Sequence, residues 1–74
     1  MAQRILDLDT RPGILPPGKA FRPVASLDEA EELFYSTMRA HELGPCDVGP
    51  NCGRVVTADD HGYHEVARFQ PEWR

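Results

Sequence analysis

The chain predicts an α+β fold in one small domain, with a single amphipathic helix packed on a short antiparallel sheet. Three observations carry that reading. Residues 26–43 hold a capped apolar stripe at helical spacing. Residues 54–70 hold two β-rich runs about a turn, and residues 4–8 hold a short apolar run fit for one further strand. The first 25 residues otherwise form an extended, proline-rich arm.

The helix is the clearest element. Ser26 and Glu29 stand three apart, as in a capping box: the hydroxyl accepts from the Glu29 amide and the carboxylate accepts from the Ser26 amide. Asp28, Glu29, Glu31 and Glu32 put negative charge near the positive end of the helix dipole. At about 100° per residue, Leu27, Ala30, Leu33, Phe34, Thr37, Met38 and His41 share one side, and Glu32, Ser36 and Arg39 the other. Gly44-Pro45 then stops the helix.

Residues 44–53, Gly-Pro-Cys-Asp-Val-Gly-Pro-Asn-Cys-Gly, read as a loop. Arg54–Ala58 and Tyr63–Gln70 read as a hairpin across Asp59-Asp60-His61-Gly62. A three-residue loop with Gly62 left-handed pairs Val56 with Val66 and Val55 with Ala67, whereas setting Val56 against Glu65 would mix the faces. In the preferred register Val55, Tyr63, Ala67 and Phe69 share one face, and Val56, Ala58, His64 and Val66 the other. Both faces are partly apolar, and there is one helix to cover them. The uncovered face is therefore expected to meet the arm or another chain.

The arm is punctuated by Pro12-Gly13, Pro16-Pro17-Gly18 and Pro23, which forbid a helix and are not expected inside a sheet. Ile14, Leu15, Phe21 and Val24 are spaced through it. Pro71-Glu-Trp73-Arg forms a tail with one large aromatic residue, costly to leave in water.

Composition limits the function. Seventy-four residues exclude a two-domain enzyme and the large nucleotide folds. A domain of this size buries only about 60% of its unfolded surface, so it usually needs a disulfide, a metal or a partner. Twelve acids against eight bases give a net charge of −4. No basic stripe is present, which disfavours nucleic acid and anionic membranes as partners. The longest unbroken apolar run is Leu33-Phe34-Tyr35, against the roughly 20 residues a membrane span needs. The first residues lack the pattern of a secretion signal, so a cytoplasmic, reducing location is expected.

Few residues are arranged for chemistry. Asp7-Leu8-Asp9-Thr10 resembles the Asp-x-Asp nucleophile loop of haloacid-dehalogenase-like phosphatases over four residues. It departs from that pattern because the threonine comes one place early, and the chain is far too short for that fold. The acids read instead as charge on an edge strand, which blocks unwanted pairing. Ser26 and Ser36 serve the helix, and no glycine pattern matches a phosphate-binding loop. No enzymatic activity is expected.

His41, Cys46 and Cys52, with His61 or His64 from the hairpin, form a candidate zinc set. The Cys-x5-Cys spacing is wider than that of zinc knuckles, and plain thiols or a disulfide are the competing readings. The candidate metal ligands are His41, Cys46, Cys52 and His64. The candidate partner contacts are Ile14, Leu15, Phe21, Phe69 and Trp73.

The leading expectation is a non-enzymatic interaction protein without a cofactor. It would be a small subunit or accessory component of a larger phage or bacterial assembly, or a homo-oligomer, binding through its arm and an exposed sheet face. The alternatives are a zinc-stabilised binding module and an acidic inhibitor of a basic or nucleic-acid-binding protein.

Overall fold

The computed structural model describes residues 3–16 and 18–70; Trp73 and the rest of its tail lie outside them. The elements are β1 (Gln3–Asp7), β2 (Phe21–Val24), α1 (Leu27–Ala40), β3 (Arg54–Asp59) and β4 (Gly62–Arg68). The strands form one four-stranded sheet in the order β2-β1-β3-β4, with every neighbouring pair antiparallel. One helix packed on this sheet makes an α+β domain, as the sequence predicts.

Two placements differ from expectation. β1 is central rather than an edge strand, so Asp7 is buried and its acid does not guard an edge. The end of the arm, including Pro23, supplies strand β2. Proline lacks an amide hydrogen, and a strand with one neighbour has a free side on which that loss is harmless. β2 is such an edge strand, pairing Ile5 with Pro23 and Leu6 with Arg22.

α1 begins as predicted but ends early. Ser26 Oγ accepts from Glu29 N at 3.1 Å, while Glu29 Oε2 accepts from Ala25 N at 2.8 Å, one residue before the expected amide. The C-terminal end is a Schellman motif formed before Gly44. Leu43 N donates to Met38 O and Glu42 N to Arg39 O, with Glu42 left-handed at φ 50°. Leu43 and Met38 both join the apolar core, the contact that usually accompanies this motif.

The hairpin holds both registers. Next to the turn, Asp59 faces Gly62 and Val56 faces Glu65; beyond a bulge, Val55 faces Ala67. The turn is tightened by Asp59 Oδ1, which accepts from His61 N at 2.7 Å. One extra residue on β4 switches which residues face which side. Tyr63 therefore lies on the face of Val56 and Ala58, not on that of Val55 and Ala67.

The core lies between α1 and the inner face. Ala30, Phe34 and Met38 form a buried stripe on the helix, and it packs with Leu6, Leu8, Val24, Cys52 and Val55. Phe34 stacks 5.9 Å from Phe69 and meets Tyr35 edge-on at 5.0 Å. The loop before β3 is tied to the chain after β1: Gly49 N donates to Asp9 O and Arg11 N to Asp47 O. No helix among the described residues is long and apolar enough to cross a membrane.

Candidate functional site

The helix covers one face of the sheet, and the register shows what stands on the other. Pro23, Ile5, Val56 and Glu65 form one row across all four strands. A neighbouring row is Phe21, Asp7, Arg54 and Arg68, and a third runs Gln3, Ala58, Tyr63. Antiparallel sheets commonly leave one face to water, and that face is then mostly polar. Here it is not. Ile5, Phe21, Val56 and Tyr63 line a shallow apolar groove of about 360 Å³. Phe21 is 64% and Tyr63 73% exposed, the largest aromatic surfaces the described residues offer.

Charge borders this groove in two ion pairs. Arg54 Nη2 pairs with Asp7 Oδ2 at 3.1 Å, and the Arg68 guanidinium holds Glu65 Oε1 at 2.7 Å. An apolar centre with a polar rim is the usual anatomy of a protein contact.

Burial pushes the Asp7 carboxyl above its usual value of 3.8; Arg54 opposes this without reversing it, and Asp9 adds to it. With the folded value above the unfolded one, protonation favours the folded state. The stabilising contribution is complete below the unfolded value and is lost as pH rises through the folded one. Asp7→Asn keeps an oxygen for Arg54 and removes the titration. Urea unfolding at several pH values is expected to show the variant's relative stability greatest at pH 7 and declining towards pH 4. A difference that stays flat across that range would show that Asp7 does not titrate this way.

The predicted contact residues divide. Phe21 stands on the outer groove. Leu15 and Phe69 pack against the domain's own core, and Ile14 is half-buried. Trp73 lies outside the described residues. Sequence reasoning did not single out Ile5, Val56 or Tyr63, although the two half-apolar faces of the hairpin were the signal that could have found them.

The candidate metal ligands are dispersed. His41 caps the exposed C-terminal end of α1, and Cys46 is exposed in the following loop. Cys52 is buried, while His64 on β4 is exposed, with Nε2 3.6 Å from Asp59 Oδ1. His61 is exposed at the hairpin tip. Among the described residues, no group of three or more His, Cys, Asp or Glu side chains is placed to hold a metal.

The two thiols differ in chemistry. Burial, with the charges of Asp9 and Asp7 added, pushes the Cys52 thiol up from 9.0 to about 11. Thiolate is the reactive form, so that shift alone lowers the reactive fraction about a hundredfold. At pH 8, an aromatic disulfide reagent is expected to modify Cys46 promptly and Cys52 at least a hundredfold more slowly. In urea the two rates should converge. Equal rates in the folded protein would contradict the burial of Cys52.

Compared with known proteins, the chain matches no family model, no curated protein and no solved structure.

Proposed function

We propose that this chain is a non-enzymatic interaction protein, a small subunit or accessory component of a larger assembly, and that it docks through the outer face of its sheet. The observation that carries this reading is the groove of Ile5, Phe21, Val56 and Tyr63 on the face the helix does not cover. Full burial of a large apolar side chain contributes about 1.5–3 kcal/mol. Several such side chains are comparable to the cost of association, about 4–15 kcal/mol. The groove therefore suits a partner that matches its shape and also engages the Arg54 and Arg68 rim. Two free cysteines suit a reducing location such as the cytoplasm.

In this reading the arm contributes less to docking than the sheet face does. Leu15 contributes to the domain's own core, and the arm's last residues serve as strand β2. Phe21, carried on that strand, is its main contribution to the docking face.

Light scattering after size-exclusion chromatography tests the reading. The native chain is expected as a defined oligomer above its own 8.3 kDa, or as poorly soluble material when made alone. Phe21→Ser with Tyr63→Ser should give a folded, soluble monomer. A native chain that is already a folded, soluble monomer, unchanged by the double substitution, would count against it.

A further inference from the structure

A second concavity lies on the helix side of the sheet, away from the outer groove. It has a volume of about 290 Å³, is open to solvent, and is bordered by the arm, β2 and the C-terminal half of α1. Leu15, Pro16 and Ala40 contribute apolar surface to its lining, with Leu8 fully buried beneath, and Lys19, Arg22, Thr37 and His41 contribute polar groups. No carboxylate lines it, in a chain where acids outnumber bases by twelve to eight.

Among the described residues, the basic groups around it have no acidic partners. Among the described residues, the ion pairs are Arg54–Asp7, His64–Asp59 and Arg68–Glu65, and none includes Lys19, Arg22 or His41. Ser36, also on the wall, has its hydroxyl engaged with Leu33 O at 3.1 Å. No hydrogen bond of the Thr37 side chain is present among the described residues. A Lys, an Arg fork and a hydroxyl are the groups that recognise phosphate oxygens. Cations beside the last turn of a helix also complement its dipole, a purely structural role. That role requires no concavity and no apolar lining.

We infer that this cavity binds a small phosphomonoester, its phosphate held by Lys19 and Arg22 with His41 and Thr37, and its short apolar body against Leu15, Pro16 and Ala40. The site is independent of the outer groove. Two cations match a phosphate dianion better than a carboxylate, and the apolar lining favours an ester over the free ion.

The test is amide-resolved NMR titration of the full chain with butyl phosphate, inorganic phosphate and butyrate, with chloride at matched ionic strength as reference. Butyl phosphate is expected to bind most tightly, with shifts confined to residues 14–22 and 36–41. Lys19→Gln with Arg22→Gln should weaken it at least tenfold. Arg4→Gln with Arg11→Gln, which removes the same charge elsewhere, should leave it within twofold. Should the first pair fail to fold, Lys19→Gln alone is expected to weaken binding at least threefold. Butyrate binding as well as butyl phosphate would overturn the proposal. So would equal weakening by the two pairs, or shifts that chloride reproduces.

Discussion

Phe34→Ala is expected to cost about 3–5 kcal/mol, a large part of the stability this domain can have. At 0.05–0.15 kcal/mol per residue, a chain of this length has about 4–11 kcal/mol in total. Phe34 has no exposed surface and is the largest fully buried side chain. It is the middle member of the Ala30–Phe34–Met38 stripe and stacks on Phe69, so it joins the helix to the end of the sheet. Its other neighbours include the backbone at Gly53 and the ring of Tyr35, and neither can easily collapse into the space left behind. Urea titration followed by circular dichroism should show the midpoint falling by about 2 M or more. A loss under about 1 kcal/mol would show that the core closes around the deletion.

Gly53→Ala should be nearly as damaging, for a different reason. Gly53 has φ +80°, where an L-residue costs about 1–2 kcal/mol. Its added Cβ would stand 2.6 Å from Phe69 O and 2.8 Å from Phe34 Cε1. The ring is locked in the core, and Phe69 is held by its own amide, which donates to Gly53 O at 2.9 Å. Overpacking of this kind adds about 1–3 kcal/mol. In a domain of this size the melting temperature should drop by about 10 °C or more. Gly62→Ala is the matched control. Its φ is +112°, but no atom lies within 4 Å of the added Cβ, so only the conformational cost should appear. Equal effects at the two glycines would remove the packing argument. Combined with Phe34→Ala, the Gly53→Ala penalty should shrink, because one of its two clashes is gone while the one with Phe69 O stays.

These two residues mark where the sequence was easy and hard to read. The helix was legible because its signals are local: Ser26 and Glu29 three apart, and Ala30, Phe34 and Met38 four apart. Its end was not. A Schellman turn with Glu42 left-handed overrides the usual preference for glycine, and Gly44 lies two residues too late. The hairpin was half legible. Val55 opposite Ala67 follows from the pattern, but a bulge is one unpaired residue among β-formers, and no composition marks Val66 as that residue. Its consequence is large, since it transfers Tyr63 to the outer face.

β2 was hidden by Pro23, which is tolerable only because the strand lies at an edge, and an edge is a property of the whole sheet. The uncovered, partly apolar outer face was anticipated in outline, from two half-apolar faces and one helix to cover them. Its membership was not, because Ile5 and Leu6 look alike in sequence. Their sides are decided by pairing with Val56 and Val55 on β3. Phe21 was singled out as an arm residue and lies on this face as a strand residue. The metal set illustrates the converse. Cysteines and histidines within a short stretch suggest a site, but chain direction disperses them between the helix end, the loop and β4.

The outer face is an aggregation liability unless something covers it, since Phe21 and Tyr63 together expose two aromatic rings to water. The inner core, in contrast, is complete without it: Leu6, Leu8, Phe34 and Val55 are fully buried. Substitutions on the two faces should therefore separate folding from association.

Site-specific photo-crosslinking in the producing cell tests this division most directly. A photoreactive side chain placed at Tyr63, or at Phe21, is predicted to give one discrete adduct, while the same group at the exposed helix residue Glu31 gives none. An adduct of twice the chain mass identifies a second copy, and any other discrete mass a different subunit. Both outcomes agree with docking through the outer face. No discrete adduct from either aromatic position, or the same adducts from Glu31, would contradict it.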